Sequence, residues 1–119
     1  MTKEQIAKWT AKWTWDAGSA CWQADGPKAK TGAAFHLRVQ ASQSGIDWYA
    51  FATQRTYPRV PISDYGQAES VEAAQELAVE SLRDILAHEK EYFALATCRA
   101  DTLNLVQLRK GMTPARVAA

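Results

Sequence analysis

Four carboxylates recur at intervals of four residues: Glu72, Glu76, Glu80 and Asp84. On a helix that spacing stacks them along one face. Each like-charged neighbour then costs roughly 0.2–0.5 kcal/mol, about what an opposite charge would contribute. Exposed helices usually interleave lysine; between Glu72 and Asp84 the one basic residue is Arg83. The bland reading is a solvated face that a strong apolar stripe can carry. The functional reading is a surface for a basic partner, protein or peptide. A third reading is internal, with the basic tail or sheet loops folding back onto the stripe.

Other reactive types are sparse. His88 follows Asp84 by four residues, a spacing that can share a metal, but a site needs three or four ligands. The other histidine, His36, lies on a separate predicted strand, so a surface histidine is the expectation. Cys21, His36 and Asp47 can be imagined as a nucleophile constellation, yet nothing in their spacing supports it. No Gly-x-Ser-x-Gly elbow occurs. Gly26 and Gly32 form neither a dinucleotide fingerprint nor a phosphate loop. The reading therefore assigns no catalytic residue, no metal and no cofactor, and ranks an enzyme third among the function classes.

A second surface competes with the acidic one. Lys28, Lys30, Arg38, Arg55 and Arg59 are interspersed with Trp48, Tyr49 and Tyr57. A basic face with stacking rings is how single-stranded nucleic acid is held. The alternative function is thus a nucleic-acid-binding module using Arg38, Trp48, Arg55 and Arg59. The bland reading, which is favoured, is that these rings are core and the basic residues serve solubility, since a net +4 over residues 1–63 is modest beside the pI above about 9 typical of such domains.

Composition frames both surfaces. The chain has 119 residues, 47% hydrophobic and 23% charged, which suits one globular domain. Its five tryptophans are many for this length, and each buried indole removes roughly 150–250 Å² from water. The net charge of +1 hides an asymmetry. Residues 1–63 carry eight basic and four acidic side chains, residues 64–91 two and eight, and residues 92–119 four and one. Cys21 and Cys98 form no CxxC pair, no apolar run reaches ~18 residues, and no signal-like segment opens the chain. A cytoplasmic protein that does not span a membrane is the default expectation.

The elements that must position these residues follow from pattern. Thr2 and Gln5 match a capping box for a short first helix. Trp13–Ala17 and Ala20–Ala24 read as a hairpin with Trp15 opposite Trp22, and Gly18-Ser19 as a type II′ turn. In Ala34–Ala41, Phe35, Leu37 and Val39 alternate with His36, Arg38 and Gln40. Ser42–Gly45 is a turn. Ile46–Gln54 is a strand with Trp48 on one face and Tyr49 and Phe51 on the other. Tyr57–Pro61 is an extended loop or edge, because two prolines remove ladder donors. Ile62–Tyr65 adds a short strand before Gly66, its edge open to a second copy of the chain. The firmest element is a helix capped by Ser70, its apolar face being Val71, Ala74, Leu77, Ala78, Leu82, Ile85 and Leu86. Helix then continues or restarts over Glu89–Cys98. Asp101 and Gly111 bracket a last short helix, although Leu103-Asn104-Leu105 also alternates like a strand. Residues 113–119 read as a frayed tail.

Certain stretches resemble a type of small uncharacterised protein common in phages and prophages. They are Trp13-Thr14-Trp15, Trp22-Gln23-Ala24, Leu37-Arg38-Val39, Trp48-Tyr49, and Gly66-Gln67-Ala68-Glu69-Ser70 leading into Val71-Glu72-Ala73-Ala74. The resemblance spans roughly residues 12–86 and implies a fold, not an activity. The Pro58–Pro61 segment and the chain beyond Phe93 depart from it. The helix–strands–helix order is also similar to a double-stranded-RNA-binding domain. That family places basic residues at the start of its last helix, where this chain has Glu69, Glu72 and Glu76.

The expectation is one α+β domain over residues 1–119, with its core in about 12–98. An antiparallel sheet of three to five strands packs against a long amphipathic helix, with short helical pieces at both ends. The expected function is a small non-enzymatic protein-binding module, a phage-like accessory protein whose partner has a basic surface. An inhibitor of a host nucleic-acid-handling or defence enzyme, in the anti-CRISPR manner, would use such an acidic face.

Overall fold

The structure, a computed structural model, describes residues 1–28, 32–54, 61–99 and 103–111. Helix α1 (Lys3–Lys8) opens the chain under the expected capping box. The Thr2 hydroxyl accepts the Gln5 amide at 3.1 Å, and the Gln5 side chain accepts the Thr2 amide at 2.8 Å. Strands β1 (Thr14–Asp16), β2 (Cys21–Asp25), β3 (Ala34–Ser42), β4 (Gly45–Thr53) and β5 (Pro61–Ala68) follow as an antiparallel meander. Helices α2 (Val71–Ala87) and α3 (Glu89–Arg99) then cross back to a two-residue strand β6 (Leu103–Asn104), which pairs with β5 in parallel. Helix α4 (Leu105–Gly111) ends the described chain. The α+β class holds, but among the described residues the sheet has six strands and one parallel pair, where three to five antiparallel strands were expected.

Alternation decides which face of the sheet is covered. Phe35, Leu37 and Val39 point inward with Trp48, Ala50 and Ala52, and all six are buried. Helix α2 lies across β3, β4 and β5. It sinks Ala74, Ala78, Leu82 and Ile85 onto them, each 0% exposed. Small alanines on both layers bring helix and sheet close together. Fully burying each larger aliphatic side chain, such as Leu37 or Leu82, contributes about 1.5–3 kcal/mol. Ser70 caps α2, its hydroxyl accepting the Ala73 amide at 3.1 Å. The predicted face is corrected at one position: Leu77 is 38% exposed, while Ser81 is buried at 6%. Among the described residues no helix is long and apolar enough to cross a membrane.

Several local expectations change. Trp15 does pair with Trp22, the rings meeting edge-on at 5.3 Å. The turn before Trp22 is not type II′, because its left-handed residue is Ala20 (φ 51°) and not Gly18. Asp16 is the reason. Its carboxylate accepts the Gly18 amide at 3.0 Å and the Ser19 hydroxyl at 2.6 Å, which locks residues 17–20 into a side-chain-capped turn. Those hydrogen bonds, the Ser19 hydroxyl first, hold the Asp16 carboxyl below its ordinary pKa.

Strand β5 runs on through Gly66 to Ala68, so Gly66 lies within a strand and marks no turn. Its expected open edge is taken, since Ile62 and Ser63 pair with Leu103 and Asn104. That covers the edge at Ile62 and Ser63, two of the four residues of Ile62–Tyr65. At the chain's end both open readings are partly met. Leu103-Asn104 is strand, and the helix starts at Leu105 with the Asn104 carboxamide accepting the Gln107 amide at 3.2 Å. The readings of Tyr57–Val60, of Asp101 and of the tail beyond Gly111 lie outside the described residues.

Candidate functional site

The outward face of α2 forms one wall of a groove. Glu72, Glu76 and Glu80 are exposed along it, about 6 Å apart along the helix axis. The opposite wall is the stretch between α1 and β1, with Thr10, Ala11 and the indole of Trp13. Gln75, Val79 and Arg83 complete a groove of about 520 Å³. Two contacts set its width: α1 packs on α2, and the Arg83 guanidinium donates from Nη2 to the Trp9 carbonyl at 2.7 Å. Arg83 Nε is buried without a hydrogen-bond partner. Arg83 thus ties the two walls together and forms no ion pair with a groove glutamate. Among the described residues no cation pairs with Glu72, Glu76 or Glu80.

Asp84 does not belong to this groove. Its Oδ2 accepts Arg109 Nη2 at 2.9 Å and the Tyr92 hydroxyl at 3.0 Å, and its Oδ1 lies 3.0 Å from His88 Nδ1. The four-residue repeat therefore divides: three glutamates face the groove, and the aspartate turns toward α3 and α4. Here the internal reading is met at one carboxylate, because a basic residue of the C-terminal segment does fold back onto the stripe. Burial, then the hydrogen bond and charge of Asp84, push the Tyr92 phenol up to about 12.

Arg109 reaches a second acid that the sequence reading did not single out. Its Nη1 donates to Asp64 Oδ2 at 2.8 Å. Asp64 is 1% exposed on the covered face of β5, where Ser81 of α2 also donates its hydroxyl to it. Burial works against the charge on Arg109, but the hydrogen bonds and charges of Asp64 and Asp84 more than offset it, and the guanidinium pKa is raised. A signal for this pair exists in the sequence. Asp64 takes an inward position in the alternation Ile62-Ser63-Asp64, and Ser81 sits on the buried stripe between Ala78 and Ile85. Two polar residues on two apolar faces call for each other.

The alternative nucleic-acid residues do not share one surface. Arg38 lies on the open face beside Tyr49, its cross-strand partner. Trp48 is one residue further on β4, so it points to the covered face, where it is 8% exposed. It cannot stack on a ligand bound to the open face. Arg55 and Arg59 lie outside the described residues. The open face does carry Tyr49 stacked on Phe51 at 5.9 Å, and Tyr65, 44% exposed. By strand register, Asp16, Asp25 and Asp47 share that face with Arg38. Its described charges are therefore mainly acidic, which opposes a phosphate backbone.

The imagined nucleophile set is also separated. Asp47 pairs with Gln40, and His36 stands four residues further along β3, roughly 13 Å away. Cys21 is buried and hydrogen-bonded to Ser19 and Gln23. Among the described residues no three of His, Cys, Asp and Glu come together as metal ligands would.

No protein-family model, curated protein or solved structure matches this chain. The site alone therefore defines the class: an α+β domain with an acidic groove between its long helix and its N-terminal segment.

Proposed function

We propose that this chain is a small non-enzymatic protein-binding module, and that the groove along α2 receives a basic segment of its partner. One observation carries the reading. Glu72, Glu76 and Glu80 line the groove without a pairing cation among the described residues, while its single arginine is engaged by the Trp9 carbonyl. Such a row costs folding free energy, and a basic partner would recover it. Trp13 on the facing wall adds an aromatic surface against which a lysine or arginine can lie.

The partner class is a nucleic-acid-handling or defence enzyme, whose phosphate-binding surface is itself basic. Occupying that surface would inhibit the enzyme, a role that suits a phage-like accessory protein. The test is a charge reversal, Glu76→Lys with Glu80→Lys, measured by titrating a lysine- and arginine-rich 12-residue peptide. Binding should weaken at least tenfold and the melting temperature should not fall. Equal binding by the variant and the unaltered chain would count against the groove. Salt-steep binding of random DNA or RNA by the unaltered chain, lost with Arg38→Ala, would favour the open sheet face instead.

A further inference from the structure

Arg109 holds an unusual position. It comes from the last described helix, is itself 47% exposed, and bridges two carboxylates on two different elements. Asp64 does not depend on Arg109 for its orientation. Its Oδ1 accepts the Tyr65 amide at 3.0 Å, and its Oδ2 accepts the Ser81 hydroxyl. Asp84 is fixed in turn by Tyr92 and His88. Both acids are thus held by other partners, at a spacing that one guanidinium fork spans with contacts of 2.8 and 2.9 Å. Beside them lies a cavity of about 250 Å³, walled by Trp48, Leu77 and Glu80.

We propose that Asp64, Ser81 and Asp84 form a guanidinium-binding site that the chain fills with its own Arg109, and that an arginine side chain of a partner protein takes Arg109's place. The proposal rests on reading α2 as the surface for a basic partner, and extends that surface to its other side. The geometry favours arginine over lysine, because the planar fork gives each carboxylate its own nitrogen, whereas an ammonium would have to serve both from one. Charge requires that the exchange be cation for cation, since Asp64, Glu80 and Asp84 cannot be left together without one. The segment itself is anchored, since Leu103 and Leu105 are fully buried and Leu108 packs on the core, so the exchange requires only that the half-exposed Arg109 side chain swing out. Glu80 lines both this cavity and the acidic groove, so one basic segment passing over α2 would meet both.

The test is chemical rescue of the full-length chain carrying Arg109→Ala. Millimolar ethylguanidinium should raise its melting temperature by about 3 °C or more, whereas ethylammonium and urea should not. The effect should vanish in the double variant with Asp64→Asn. N-acetyl-arginine methylamide, followed by the Tyr65 amide resonance, should saturate the Arg109→Ala chain at a concentration at least tenfold lower than the unaltered one. If Arg109→Ala does not fold, Arg109→Lys keeps a charge without the fork and takes its place in the same titration. Absence of rescue, equal rescue by ethylammonium, rescue that survives Asp64→Asn, or equal affinity of variant and unaltered chain would each overturn the proposal. None of these readings involves Glu72 or Glu76. Failure here leaves the groove standing, whereas failure of the peptide titration removes the basic partner and leaves only the guanidinium site that Arg109 itself fills.

Discussion

The indole of Trp48 rests on the backbone of Gly66, the residue directly across from it on β5. A methyl group at position 66 would lie 2.7 Å from the indole nitrogen and 2.9 Å from two ring carbons. Gly66 is therefore the floor on which a core tryptophan sits. Gly66→Ala should cost about 1–3 kcal/mol through overpacking. Urea unfolding should show a lower midpoint with an unchanged slope. An unchanged midpoint would mean that Trp48 can move aside.

The polar pair beneath α2 makes a second prediction. Ser81 donates to the buried Asp64 carboxylate, and hydrogen bonds to charged groups contribute about 1.5–3 kcal/mol. Ser81→Ala should lose that amount, although it places a good helix former on a helix. A combined Ser81→Ala and Asp64→Asn variant should lose less than the sum of the two, because the partners share one interaction. Strict additivity would show that the hydroxyl and carboxylate act independently.

How much of this was readable in advance follows from where each signal is local. The capping box at Thr2, the Ser70 cap, the alternation of Phe35, Leu37 and Val39, and the Trp15–Trp22 pairing all depend on neighbours in the chain or across one turn. Each was legible from residue type and spacing. Strand β6 was only half legible, because a two-residue strand has no period. Its partner lies some forty residues away on β5, which sequence distance hides. Arg109 was missed for the same reason: an exposed basic residue on a short helix looks like any other. The acidic row was legible as a row, but its division was not, since Asp84's engagement depends on Arg109 and Tyr92 arriving from later elements.

Ala20 supplies a prediction of opposite sign. It adopts φ 51°, a left-handed conformation that a side chain disfavours by about 1–2 kcal/mol. Ala20→Gly removes that strain and adds unfolded-state entropy of roughly half its size. A net stabilisation of about 0.5–1 kcal/mol should appear as a raised urea midpoint. A lowered midpoint would mean that the Asp16-capped turn holds Ala20 without strain.

Tyr92 predicts behaviour at alkaline pH. Its pKa in the folded chain is about 12, above the value of 10.0 for an unperturbed phenol. The folded state thus keeps a proton that the unfolded state releases first. The contribution to stability is complete below pH 10 and is lost as the pH rises from there through about 12. Urea stability measured at pH 9 and pH 11 should therefore fall more for the unaltered chain than for Tyr92→Phe. Parallel losses in the two would show that the phenol titrates alike in both states.

The central claim is that a basic segment binds in the groove between α2 and the stretch from Thr10 to Trp13. Amide chemical-shift mapping tests it most directly, with a lysine- and arginine-rich peptide titrated into the isotope-labelled chain at low salt. The account predicts shifts concentrated at Thr10–Trp13 and along Glu72–Arg83, fading as salt is raised. Shifts centred on Arg38, Tyr49 and Tyr65, or no shifts at saturating peptide, would contradict it.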